Sequence, residues 1–363
     1  MIPILEPYMN ECEKENVIAA VDSGWISSSG KFVGEFEAKF SQLHSKKRFV
    51  TSVSNGTVAL ELALKSLNIG VGNKVLVPNF TFGASVNAII NVGAEAIFFE
   101  PCATSWNIDF ELFGDESILA DIDAIVLVSV YGVGINQAVY QKIRLNFPHI
   151  MIIEDCAESF GTNYGDDFTG SLADIATFSF FGNKTITTGE GGMVTFKDKE
   201  CYLRAVNIKN HGMAPDKKYY HLVAGSNYRM TNIQAALGVA QLEKIGYIFQ
   251  RKREITFRYI KNLKTVTFQT GSDNSSNIIW LNTVLFKCQT VRDRVANNLS
   301  ANGIDCRLPF SPMQTQPAFS RIKSRGPRGV SESIYTLGLS LPSSVTLDEK
   351  SQRFVIDKVN EVV

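Results

Sequence analysis

Nowhere in the chain do about 18 apolar residues follow one another, which excludes a membrane-spanning helix from the reading. Charge of one sign is not in excess either. Lys+Arg and Asp+Glu both number 36, so no net field attracts nucleic acid or an anionic lipid surface. The six cysteines, at 12, 102, 156, 201, 288 and 306, form no CxxC pair, and only four histidines accompany them. That spacing excludes a zinc site and a disulfide framework, so no metal is expected and the redox setting reads as a reduced cytoplasm. The opening MIPILEPYMNECEKENV has no basic segment, apolar core or small-residue cleavage site, and it does not read as a secretory signal.

What is present is ordinary globular material in sufficient quantity for two domains: 363 residues, 45% hydrophobic and 20% charged. Short β-rich apolar runs at 74–77, 96–99, 124–130, 150–153, 176–180 and 192–196 alternate with helical stretches such as 57–67 and 85–92. Buried strands joined by crossover helices predict an α/β fold with a mostly parallel sheet sandwiched by helices. After Thr231 a long helical pattern leaves the sheet region, and the remainder, with a strand predicted at 278–286, reads as a smaller α+β C-terminal domain. The expected division is 1–245 and 246–363. The patch KSRGPRG at 323–329 reads as a loop.

Three segments carry chemistry. In SFFGNKTITTGEGGMV, residues 179–194, Lys184 lies in a glycine- and hydroxyl-rich loop between β-runs and beside Phe180 and Phe181. Such a lysine is either a solvated loop residue or a desolvated amine kept neutral enough to attack a carbonyl. In IIEDCAES, residues 152–159, four residues of apolar and acidic character place Asp155 near the carboxyl end of a buried strand, where open α/β sheets bind ligands. That carboxylate is suited to a protonated ring nitrogen, to a metal or to a helix cap. In VSNGTVALELALKSL, residues 53–67, Asn55-Gly56 turns the chain and Thr57 opens a helix. A helix start with a hydroxyl binds phosphate, or is an ordinary cap. Phe82 fits either a ring-covering or a core role, and Asn227 and Arg229 fit a turn equally well.

Taken in order, GWISSSGKFVGEFE, SNGTVAL, VPNFTFGASVNAI, VYG, IEDCAESFG, SFFGNKTITTGEGGMV and NYRMTNIQAALGVAQLE resemble the DegT/DnrJ/EryC1/StrS sugar aminotransferases, a branch of fold-type I pyridoxal-phosphate enzymes. The resemblance is close over about residues 1 to 245 and looser beyond, and within the family it is closest to the perosamine-forming branch. It implies pyridoxal 5′-phosphate as cofactor, bound as a Schiff base to Lys184. Asp155 would pair with the ring nitrogen, Phe82 would stack on the ring, and Glu158 would lie near the ring hydroxyl. Gly56, Thr57 and Ser179 would hold the phosphate, joined by Asn227 from the neighbouring subunit of a homodimer. The implied reaction moves an amino group from L-glutamate to a nucleotide-linked 4-keto-6-deoxyhexose, for O-antigen lipopolysaccharide or another glycan. A sibling group has histidine at the lysine position and deoxygenates sugars; Lys184 favours transamination.

Trp25, His211, Arg307 and Gln314 are the residues expected on the substrate side. There the resemblance thins. Relatives of the perosamine branch carry tyrosine where this chain has Ser311, histidine where it has Gln314 and Ser129, and a His-Ser-Tyr-Trp stretch where it has NIIW at 277–280. Those changes leave room for a different or smaller carbonyl substrate, or for another pyridoxal-phosphate reaction class. A non-catalytic regulator is disfavoured by the absence of a basic stripe.

Overall fold

The computed structural model describes residues 1–44, 47–109, 118–271 and 275–363. Its centre is an eight-stranded sheet: β1 (Phe49–Val53), β2 (Lys74–Pro78), β3 (Glu95–Phe99), β4 (Ala124–Val128), β5 (Met151–Asp155), β6 (Ile175–Ser179), β7 (Gly192–Phe196) and β8 (Ser324–Arg325). The strands lie in the order β1-β7-β6-β5-β4-β2-β3-β8, and β7 alone runs against the others. The expected α/β fold with a mostly parallel sheet is present.

The period of two along each strand builds two separate cores. Val75, Val77, Ala124 and Val126 pack on one face with the helices Gly56–Ser66 and Gly83–Asn91. Leu76, Ile125 and Leu127 point to the other, where Tyr140 and Ile143 of helix Gln137–Asn146 cover them. Because both faces are covered, β4 is apolar throughout, AIVLV, and wholly buried. A second, antiparallel sheet of Thr267–Phe268, Thr283–Leu285 and Gly338–Ser340 packs with the helices Ile245–Asn262, Gln289–Ala301 and Glu349–Asn360 around its own core. No described helix is long and apolar enough to cross a membrane.

Several elements differ from the sequence reading for identifiable reasons. The run at 124–130 stops at Val128, since Val130–Gly132 forms a tight turn with Tyr131 at φ 54°. A Cβ on Gly132, at φ 107°, would lie 2.2 Å from the Ile278 carbonyl oxygen, so this turn is packed backbone to backbone. The strand predicted over 278–286 shrinks to Thr283–Leu285 because the preceding residues are drawn to that turn: the Trp280 N–H donates to the Tyr131 carbonyl at 2.9 Å. Part of the KSRGPRG patch is strand β8, paired with Phe98 and Phe99. Strand β1, FVTSV, is absent from the predicted elements. Its polar Thr51 and Ser52 are buried against Glu37 and Lys209, which hides the apolar alternation.

Helix Asn232–Glu243 crosses helix Lys31–Ser41 at Gly238, where an added Cβ would lie 2.6 Å from the ring of the fully buried Phe36. In an open helix Gly→Ala stabilises by about 1 kcal/mol. Here Gly238→Ala is expected to destabilise by about 1–3 kcal/mol through overpacking, read as a lower thermal midpoint. A raised midpoint would show that the two helices are not held at this separation.

Candidate active site

All the strands except β7 deliver their carboxyl ends to one edge of the sheet, and a cavity of about 580 Å³ opens there. Its floor begins after β1. The Asn55 side chain accepts from the Val58 N–H at 3.0 Å and its carbonyl from the Ala59 N–H at 3.2 Å, which sets the start of helix Gly56–Ser66. The amides of Gly56 and Thr57 precede the first intrahelical bond, so the helix presents N–H groups and the positive end of its dipole. Ser179, the last residue of β6, is so close that a Cβ on Gly56 would lie 2.8 Å from the Ser179 Cβ. Gly56 is therefore required by close approach, and the Thr57 and Ser179 side chains flank an anion cradle.

Asp155 ends β5 and is buried. Its Oδ2 accepts from the Ser85 hydroxyl at 2.8 Å and its Oδ1 from the Ala157 N–H at 3.1 Å. Burial pushes its pKa up, while Ser85, Ala157 and the charge of Lys184 oppose that rise. Glu158, also buried, accepts from the Tyr131 N–H at 2.9 Å. Burial raises its pKa as well, against the pull of Lys184.

The Lys184 amine faces both carboxylates. It lies 3.7 Å from Glu158 Oε1 and 3.9 Å from the centre of the Trp280 ring, with 13% of its side chain exposed. Burial lowers its pKa; Glu158 and Asp155 hold it up. Trp280 is fixed on three sides. Its indole N–H donates to the Asn183 carbonyl at 2.7 Å, its backbone N–H to Tyr131, and its carbonyl accepts from the buried Lys252 amine at 2.9 Å. Lys184 is thus held over an aromatic face by a residue nearly a hundred positions away.

The mouth of the cavity is aromatic. Phe82 (61% exposed) and Phe181 (47%) stand there, with Phe310 behind Phe82 at 6.0 Å between ring centres. Arg307 also lines the cavity; its backbone is clamped to Ser340 in both directions, and its guanidinium is exposed with Asp305 at 3.9 Å.

Of the residues singled out from sequence, the cavity brings together Gly56, Thr57, Phe82, Asp155, Glu158, Ser179, Lys184 and Arg307. Trp25, His211, Asn227 and Gln314 lie outside its wall in this chain. Trp25 is exposed and its carbonyl accepts from Asn232. Asn227 and His211 both contact Arg229, at 2.9 and 3.4 Å. Gln314 is turned to Asn79, whose side-chain oxygen accepts its backbone N–H at 2.8 Å. Ser129 does not face the cavity, contrary to its expected place on a substrate surface; it is fully buried and donates to Glu154 at 3.2 Å. Sequence reasoning missed Ser85, Tyr131 and Trp280. Ser85 and Tyr131 lie inside the quoted VPNFTFGASVNAI and VYG segments, and Trp280 is a retained aromatic in an otherwise altered one, so each carried a signal without a role.

The donor set fits pyridoxal 5′-phosphate. A helix start and two hydroxyls suit a dianion, a buried carboxylate suits a protonated ring nitrogen, and a desolvated lysine suits an aldehyde. The buried Thr177 hydroxyl beside the cavity has no partner among the described residues. No cluster of metal-ligating side chains occurs among the described residues.

Comparison with known proteins agrees with this chemistry. The DegT/DnrJ/EryC1/StrS aminotransferase family matches residues 7–360. The chain is 39% identical to a GDP-perosamine synthase of Escherichia coli O157:H7 over 99% of this chain and 98% of that one. It is 37% identical to a GDP-perosamine synthase of Vibrio cholerae over 94% of each. Among solved structures, a DegT DnrJ EryC1 StrS aminotransferase from Brucella abortus superposes with a TM-score of 0.89 at 26% identity, covering 97% of this chain and 95% of that one. The aminotransferase TlmJ from Streptoalloteichus hindustanus gives 0.91 at 25% identity, covering 99% and 98%. The chain belongs to the DegT/DnrJ/EryC1/StrS aminotransferase family and is a pyridoxal-phosphate-dependent transaminase.

Proposed function

We propose that this chain transfers an amino group from L-glutamate to a nucleotide-linked 4-keto-6-deoxyhexose; the relatives named GDP-perosamine synthase support a nucleotide-linked amino sugar as the product. The observation that carries the site assignment is the meeting of Lys184, Asp155 and the Gly56 helix start in one cavity. In the same reading residues 1–245 form the cofactor-binding unit, and 246–363 a smaller unit that closes over it with Trp280, Arg307 and Phe310.

The cofactor, when bound, supplies an aldehyde to hold the amine and a ring that stores the electron pair released at the donor Cα. Lys184 would hold the aldehyde covalently and release it to the incoming amine. Once free, its amine would take the proton from the donor Cα and deliver it to the former aldehyde carbon of the cofactor, across the nitrogen, acting as base and then acid. Burial lowers the amine's pKa and so favours the neutral form that proton abstraction needs. Asp155, as carboxylate, keeps the ring nitrogen protonated. Glu158 accepts or shares a proton beside the ring hydroxyl. Gly56, Thr57 and Ser179 bind the phosphate, and the partner subunit's Asn227 completes that cradle in a homodimer. Phe82 covers the ring, and Trp25 and His211 act on the substrate side from the same interface. Arg307, charged and exposed on the rim, pairs with the diphosphate of the sugar nucleotide, and Gln314 lies along the same segment.

Two variants test these roles. Lys184→Ala is expected to lower turnover by at least about three orders of magnitude, measured as 2-oxoglutarate formed from glutamate. Retention of near wild-type turnover would remove Lys184 from the mechanism. Arg307→Ala is expected to raise KM for the keto-sugar nucleotide about ten- to a hundredfold while the rate of the glutamate half-reaction stays unchanged. A KM equal to wild type would place the diphosphate elsewhere.

A further inference from the structure

We infer that Thr81 and Ser85 form a two-hydroxyl relay that holds Asp155 ionised against its own burial, and so sets the pH range over which the cofactor is retained. The inference rests on the cofactor reading above and extends it to two residues outside the cofactor cradle.

The direction of the relay follows from proton counting. An ionised Asp155 has no proton to give, so in the 2.8 Å contact Ser85 is the donor. A hydroxyl has one proton. The 3.1 Å contact between Thr81 Oγ1 and Ser85 Oγ must then be filled by the Thr81 proton. All three groups are buried, with Thr81 and Ser85 almost wholly inaccessible, so water does not substitute for either hydroxyl. Thr81 lies just after β2, and Ser85 in the first turn of helix Gly83–Asn91. The relay therefore reaches Asp155 from the crossover between β2 and β3, on the far side of β4 from its own strand, while the Ala157 N–H serves the other carboxylate oxygen from the chain immediately following.

The charges around Asp155 show why the relay is needed. Lys184 favours its carboxylate. Glu158 and Cys156, if ionised, repel it: Asp155 raises the pKa of each, and burial adds to the same side. A hydrogen bond to the charged form lowers a carboxyl pKa, and removal of the bond raises it. With the Ser85 hydroxyl gone, Asp155 takes up a proton at higher pH. The pairing with a protonated ring nitrogen is then lost earlier as pH falls.

The test is equilibrium dialysis of the holoenzyme from about pH 8 to about pH 5, read as the apparent dissociation constant of pyridoxal 5′-phosphate. In Ser85→Ala the acid limb of affinity is expected to move upward by about one to two pH units, which corresponds to about ten- to a hundredfold weaker binding between the two limbs. Ser85→Thr keeps the hydroxyl and should restore the wild-type limb. Thr81→Val, close in shape to threonine, should move the limb in the same direction by less, and it decides the question if Ser85→Ala does not fold. An acid limb at the wild-type pH in Ser85→Ala, or in Thr81→Val where that variant decides, would overturn the relay, as would a uniform loss of affinity at all pH values. Failure of the wild-type protein to retain the cofactor at any pH would instead contradict the cofactor reading itself.

Discussion

Lys184 is buried with two carboxylates, and its attraction to both of them is what the rest of the site is arranged around. Burial works against each of them, pushing the acids up and the amine down. Each is held by a group from another part of the chain: Asp155 by Ser85, Glu158 by the Tyr131 amide, Lys184 by the face of Trp280. Burial lowers the amine's pKa toward the neutral form that carbonyl chemistry requires. A solvated lysine has no such constraint.

The fold supplies the geometry for this at low structural complexity. Parallel strands bring their carboxyl ends to one edge, so residues far apart in sequence meet without any strand being distorted. One strained position that serves the site is in the turn after β4. Tyr131 there is in a left-handed conformation that non-glycine residues seldom adopt, and it is over-determined by contacts. Its amide serves Glu158, its carbonyl accepts from Trp280, and its hydroxyl accepts from the Phe310 N–H at 2.9 Å. One residue thus couples the sheet, the acid and both aromatic elements of the C-terminal third.

What was legible in the sequence follows from how local each feature is. The strand ends at Asp155 and Ser179, the helix start at Gly56 and the loop around Lys184 are short segments whose pattern is complete within about ten residues. The continuous apolar run of β4 likewise announces a strand covered on both faces. By contrast, β1 hides its alternation because its inward polar residues are satisfied by Glu37 and Lys209 from elsewhere. Trp280 and Ser85 acquire their roles only through contacts across 97 and 70 positions. The polar change at Ser129 concerns the buried partner of Glu154 and not the cavity, a distinction no local pattern carries.

The central claim is that this cavity holds pyridoxal 5′-phosphate on a lysine and passes an amino group through it. The most direct measurement is the absorbance spectrum of the purified protein before and after addition of L-glutamate. A visible band that moves to shorter wavelength when glutamate is added is the expected result. A protein that shows no such band even after incubation with pyridoxal 5′-phosphate would contradict it.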